Sequence, residues 1–150
     1  MVYYHHDLLV HRQPCSGKST LAKMLHKKLP GSLYLDGDEL RRFFKTNDSK
    51  EHFTREWREK QTKILQTFVA YVADQGINVI VATVNPYRNI REEFKKSRID
   101  IVEIYVHKNV ERSRESFNVI DYEPPIENFI DIDTTTDVVE ESFIKILVSI

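Results

Sequence analysis

Between an apolar run, Leu8-Leu9-Val10, and a helical pattern that opens at Lys18 stands the stretch Pro14-Cys15-Ser16-Gly17-Lys18-Ser19-Thr20. No other feature constrains the fold so tightly. Small residues between a strand and a helix let successive backbone N–H groups converge on phosphate oxygens, and the helix N-terminus adds its partial positive charge. Lys18 then reaches the β- and γ-phosphates of a nucleotide, and Ser19 ligates Mg2+. Gly-Lys-Ser also arises by chance at ordinary helix starts; the strand before it and the helix after it argue against chance here. The pattern G-x-x-x-x-G-K-[ST] is broken at one position, where Arg12, preceded by His11, replaces glycine. A Cβ there either distorts the entry of the loop or is accommodated at negative φ with the side chain turned outward.

The rest of the chain alternates apolar runs with helical patterns, as a mostly parallel α/β sheet requires. Leu21, Met24, Leu25 and Leu29 predict a helix from Lys18 that stops at Pro30-Gly31. A second strand is expected over 32–36, opening into a short helix through Leu40 and Phe44. A long helix is expected over 53–74, with Phe53, Trp57, Ile64, Phe68 and Tyr71 or Val72 as its apolar stripe and Gly76 as its cap. Residues 78–84 (NVIVATV) read as a central strand, 88–96 as a charged surface helix, and 100–106 as a fourth strand. A helical turn through Glu111 and Glu115 precedes the loop Tyr122-Glu123-Pro124-Pro125. A fifth strand follows over 129–133, and then a last helix with Asp137 and Glu140 spaced as a capping box.

Two more segments carry chemistry. Asp36-Gly37-Asp38 closes the second strand, at the sheet edge where α/β proteins place ligands. Read alone it is a turn with a helix cap; beside a phosphate loop, its carboxylates suit Mg2+ coordination and acceptance of a hydroxyl proton. Asn85-Pro86-Tyr87-Arg88 leaves the buried third strand at the same edge. Arg41, Arg58 and Arg88 converge there to bind an anionic acceptor, with Gln61 one turn beyond Arg58. Phe53 and Phe117 suit either the core or a lid. Cys15 reads as a small loop residue, and His5 and His6 as solvated terminal residues.

Composition bounds the remaining classes. The 150 residues carry 22 basic and 23 acidic side chains, 41% apolar residues and one cysteine. One domain spanning 1–150, a reducing setting and a cytoplasmic location are the expectations. The near-neutral balance, with no basic stripe interleaved with aromatics, argues against nucleic acid as the partner. No run reaches the ~18 apolar residues that a membrane span needs, so no membrane partner is expected.

Taken together, these motifs resemble the adenylylsulfate kinase family of P-loop kinases, over roughly residues 8–147. QPCSGKSTLAKMLHKKL is similar to the family's phosphate loop and first helix, and LDGDELRRFF to its Asp-Gly-Asp-Asn-x-Arg segment. FTREWREKQ aligns with Phe-Ser-x-x-Asp-Arg-x-x-Asn, NPYRNIRE with Ser-Pro-Tyr-Arg-x-x-Arg-Glu, and YEPPIEN with the segment after the family's lid. The resemblance implies a three-layer fold, with a parallel five-stranded sheet and helices on both faces. It also implies transfer of the ATP γ-phosphoryl group to the 3′-hydroxyl of adenylylsulfate or a related nucleotide-linked anion.

In that assignment Lys18 and Asp38 are catalytic, and Pro14, Cys15, Ser16, Gly17, Lys18, Ser19 and Thr20 bind ATP. Ser19 and Asp38 hold Mg2+. Asp36, Arg41, Phe53, Arg58, Gln61, Asn85, Pro86, Tyr87, Arg88 and Phe117 surround a small, nucleotide-like acceptor. A homodimer is among the assemblies this leaves open. Trp57 replaces an aspartate, Glu39 and Gln61 replace asparagines, Asn85 replaces serine, and the basic lid expected after Glu115 is almost absent. A second reading is therefore a nucleotide-binding protein of the same fold with weakened or lost kinase activity.

Overall fold

The computed structural model describes residues 6–11, 16–46, 50–108, 119–136 and 138–150. Five strands, β1 (Asp7–His11), β2 (Leu33–Asp36), β3 (Val79–Thr83), β4 (Ile101–His107) and β5 (Phe129–Asp133), form one sheet in the order β2-β3-β1-β4-β5. All four pairings are parallel. The helices are α1 (Lys18–Lys28), α2 (Gly37–Phe43), α3 (Arg55–Ala73), α4 (Arg88–Ser97) and α5 (Val139–Leu147), with a 3₁₀ turn (Lys50–Phe53) ahead of α3. The strand boundaries expected from the apolar runs hold to within about one residue, and β5 matches fully.

Alternation along the strands explains the layers. Leu8 and Val10 of β1, with Ile80, Ala82, Ile104, Val106 and Ile132, face Leu21, Ala22 and Leu25 of α1 and Ile146 of α5. Leu9, Val79 and Val81 face the other way, onto Val69 and Val72 of α3 and Phe94 of α4. Each strand residue points opposite to its neighbour, so a sheet covered on both faces reads as a nearly unbroken apolar run. Because every strand runs the same way, all five carboxyl ends open on one edge of the sheet. The phosphate-loop helix, the Asp36-Gly37-Asp38 segment and the Asn85–Arg88 segment all start there.

Three local expectations are corrected. Helix α3 begins at Arg55, capped by the Thr54 hydroxyl, which accepts from the Trp57 amide at 3.3 Å; Phe53 belongs to the 3₁₀ turn. Its inward face is Leu65, Val69 and Val72, whereas Ile64, Phe68 and Tyr71 of the anticipated stripe are exposed. Two apolar stripes lie side by side on this helix, and the period alone does not choose between them. Helix α4 is not merely a charged surface helix, since Arg91 is wholly buried in it. Helix α5 starts at Val139 without a side-chain cap; Asp137, and the turn through Glu111 and Glu115, lie outside the described residues.

Candidate active site

Gly17 caps α1 with φ at 92°, a left-handed conformation open to glycine at little cost. Lys18 follows it as the first helical residue, and its side chain is buried against the sheet edge. The Ser16 hydroxyl is buried and finds no protein partner among the described residues. Thr134, one residue past β5, reaches across to this turn. Its hydroxyl lies 3.0 Å from the Ser16 carbonyl and 3.1 Å from that of His107, and its amide donates to His107 at 2.7 Å. Sequence reasoning missed Thr134; the signal was a hydroxyl-rich run, Thr134-Thr135-Thr136, at the carboxyl end of a strand. Thr20 is exposed on the next turn, and Arg12, Pro14 and Cys15 lie outside the described residues.

Asp36 ends β2 and caps α2. Its Oδ2 accepts from the Ser19 hydroxyl and from the Tyr34 hydroxyl, each at 2.8 Å, while Oδ1 accepts from the amides of Asp38 at 2.9 Å and Glu39 at 3.3 Å. Burial pulls its pKa upward, but the four donors outweigh burial and hold the carboxyl below its usual value. The Tyr34 hydroxyl is pushed upward in turn, by burial and by its bond to Asp36. The side chain meeting Ser19 is thus Asp36, whereas the sequence assignment paired Ser19 with Asp38. Asp38 is exposed on the first turn of α2, its carboxylate held by none of the donors that fix Asp36. Between them Gly37 packs so closely on β3 that a Cβ there would stand 3.1 Å from Thr83 Cγ2.

Across from this pair lies a cationic and aromatic cluster. The Arg41 guanidinium sits over the rings of Phe53 and Trp57, at 4.8 and 4.9 Å, and donates to the His52 carbonyl at 3.3 Å. Arg58 donates to the Phe53 carbonyl at 3.1 Å and lies 5.4 Å from the same ring. Burial lowers the pKa of both groups, and the charge of Arg58 lowers that of Arg41 further, against a smaller opposing pull from Asp38. Neither guanidinium forms an ion pair with a carboxylate among the described residues. Phe53, in reach of both cations, remains 42% exposed. Gln61 is exposed on α3 beyond them, and Phe117 lies outside the described residues.

The segment after β3 is held differently from the sequence assignment. Asn85 has φ at 40° and is buried, and its Oδ1 finds no partner among the described residues. Pro86 and Tyr87 are buried behind it. The Pro86 carbonyl accepts from the Glu123 amide at 2.9 Å, the Arg88 amide donates to Glu123 Oε2 at 2.8 Å, and Arg88 Nε donates to the Pro124 carbonyl at 2.7 Å. Arg88 therefore fastens the Tyr122–Pro125 loop, while Arg41 and Arg58 stand together without it. Arg55 stacks on Tyr87 at 4.2 Å and reaches Glu59 and Asp121. Burial, with Asp121 nearby, raises the Tyr87 pKa, and Arg58 and Arg55 oppose it.

Beneath this segment three ionisable side chains share one buried carboxylate. Glu103 Oε1 lies 2.8 Å from His11 Nε2 and accepts from Arg91 Nε at 2.8 Å; Oε2 accepts from Lys95. His11 Nδ1 lies 2.8 Å from the Tyr122 hydroxyl. Burial raises the Glu103 pKa, but the His11 and Lys95 contacts prevail and bring it to about 2. Burial lowers His11 to about 4 despite its contact with Glu103.

Acid stability follows with a definite sign. Between about pH 6.5 and 4 the unfolded histidine binds a proton that the folded one refuses, so stability falls as pH drops through that window. Below it Glu103 adds a further loss from about pH 4.5 towards 2. Urea titrations of the wild type from pH 7 to 4.5 are expected to show a falling midpoint that His11→Gln flattens. An equally steep fall in the variant places the acid sensitivity elsewhere.

Comparison with known proteins accounts for this edge of the sheet. A family model described as adenylylsulphate kinase matches residues 8–120. The adenylyl-sulfate kinase of Gloeothece citriformis is 32% identical over 155 aligned positions, covering 88% of this chain and 86% of the relative. The cytidine diphosphoramidate kinase of Campylobacter jejuni is 28% identical, covering 81% of this chain and 74% of the relative. The fold superposes on the APS kinase of Mycobacterium tuberculosis, solved with AMPPNP and APS, at a TM-score of 0.75, with 18% identity and 96% of both chains covered. These relatives are kinases by name, which does not favour a nucleotide-binding protein without catalysis. A phosphate-loop helix facing a carboxylate pair and an arginine–aromatic cluster, within a match of this length, means that the chain belongs to the adenylylsulphate kinase family of ATP-dependent phosphotransferases.

Proposed function

We propose that the protein transfers the γ-phosphoryl group of ATP to the 3′-hydroxyl of adenylylsulfate or of a closely related nucleotide-linked anion. The observation that carries this reading is the pair of half-buried guanidiniums, Arg41 and Arg58, gathered at Phe53 without an ion pair to a carboxylate among the described residues. Two cations beside a partly exposed aromatic ring suit a ligand that is both planar and anionic. Phe53 stacks on the acceptor base while Arg41 and Arg58 hold its charged tail.

On the donor side, the N-terminus of α1 and Lys18 hold the ATP phosphates. The Ser19 hydroxyl and the Asp36 carboxylate, 2.8 Å apart, are hard oxygen donors of the kind Mg2+ selects. Bound there, Mg2+ supplies charge neutralisation at the transferring phosphoryl group. Asp38 takes the proton of the acceptor hydroxyl as the new O–P bond forms, and the bond from the γ-phosphorus to the β–γ bridging oxygen breaks to release ADP. Lys18 meets the charge that builds on that leaving oxygen. A single cysteine and an ATP donor fit a cytoplasmic enzyme.

Trp57, Gln61 and Glu39 depart from the family's usual side chains around the acceptor, which favours a related anion over strict adenylylsulfate recognition. The deciding experiment incubates the protein with ATP, Mg2+ and a panel of adenylylsulfate and cytidine diphosphate-linked anions, and reads the products by mass. One member is expected to gain a phosphoryl group as ADP appears. ADP release that no panel member accelerates, with no phosphorylated product, would sink the proposal.

A further inference from the structure

The buried cluster under the acceptor segment holds more donors than packing alone requires. Arg91 is fully buried on α4, and its guanidinium is spent on three acceptors from three parts of the chain. Nε donates to Glu103 on β4, Nη1 to the Asn85 carbonyl at 2.7 Å, and Nη2 to the Glu123 carbonyl. Asn85 is the residue held at φ 40°, a left-handed conformation that asparagine tolerates better than most side chains but still at a cost. A planar fork with fixed donor directions supports that conformation, and a lysine at the same place does not.

His11 extends the arrangement to the phosphate side. As the last residue of β1 it stands at the root of the phosphate loop, with no exposed surface, and contacts Glu103 through one ring nitrogen and the Tyr122 hydroxyl through the other. Nε2 lies 2.8 Å from the carboxylate without the alignment of a hydrogen bond, and Nδ1 lies 2.8 Å from the tyrosine hydroxyl. Glu103 thus ties together the strand that enters the phosphate loop, the Asn85–Arg88 segment and the Tyr122–Pro125 loop. Tyr87, in the middle of the first segment, lies within electrostatic reach of Arg58. A buried ion cluster is seldom a gain over apolar packing of equal volume, so its retention calls for a geometric reason.

We propose that Arg91 and His11 are positioning residues for the acceptor. Arg91 fixes the Asn85–Arg88 segment in its turned form, and His11, through Tyr122, fixes the facing loop against it, so that acceptor affinity is set by side chains that never touch the acceptor. The effect on turnover rests on the function proposed above; the effect on local order does not.

Arg91→Lys and Tyr122→Phe test this, the second removing one hydroxyl in case the first fails to fold. Amide hydrogen exchange read by mass spectrometry is expected to quicken by about tenfold or more in peptides covering 84–90 and 119–126, with the strands of the sheet unchanged. With the acceptor identified by the panel, its KM is expected to rise about tenfold or more, while the ATP KM and kcat stay within about threefold. Exchange that quickens throughout the sheet, or equal rises in both KM values, reduces the cluster to support of the fold and overturns the proposal. Should no acceptor turn over, the function above fails, and the exchange pattern alone still decides for or against the clamp.

Discussion

Lys18→Ala is expected to fold normally and to lose roughly 10²–10³-fold in kcat. Its ammonium stands at the first residue of α1, beside the left-handed Gly17 turn and under the Thr134 tie to Ser16. No other cation is so placed at this end of the sheet among the described residues: Arg41 and Arg58 lie across the site, and Arg88 and Arg91 are bonded to the loops around Glu123. With nothing to take over, the proposed mechanism loses the one described side-chain cation that would meet the charge building on the leaving oxygen. The measurement is steady-state turnover beside a thermal melt. Wild-type turnover from a folded Lys18→Ala protein would remove Lys18 from the mechanism.

The second large effect falls on Asp38. Asp38→Ala is expected to lower kcat by about 10²–10⁴-fold with little change in the KM for ATP, the range a single general base contributes. Asp36 is a poor substitute, because four donors hold its carboxyl below the ordinary value and make it a weak proton acceptor. The two carboxylates are thus separated by environment: one buried, capping α2 and meeting Ser19, the other exposed on the first helical turn. Activity that survives in Asp38→Ala and vanishes in Asp36→Asn reverses these roles.

Much of the frame was legible because it rests on local chemistry. The β-branched run before Asn85 had to be a central strand, and Gly17 and Gly37 sit where a positive φ and a 3.1 Å approach to Thr83 demand glycine. Asp36 and Asp38 were equally legible as a pair, but not their division of labour, which depends on Tyr34 arriving from β2 and Ser19 from α1. The three-arginine convergence is met in the structure by two of the three, for a similar reason. Arg41 and Arg58 meet over Phe53, whereas Arg88 turns to a carbonyl 36 residues further along the chain. Arg91 read as one more surface charge because its partners, Asn85, Glu103 and Glu123, are scattered in sequence. Helix α3 misled in another way, its exposed Ile64, Phe68 and Tyr71 being as regular as its buried face.

Trp57 is the only tryptophan in the chain, and it lies within the arginine–aromatic cluster, 4.9 Å from the Arg41 guanidinium and with its ring 4.9 Å from that of His52. Its emission is therefore a single-site optical signal from the place proposed above for the acceptor. Any ligand that draws Arg41 away or stacks on Phe53 alters the surroundings of that indole, so binding can be followed by intrinsic fluorescence without a label and without turnover.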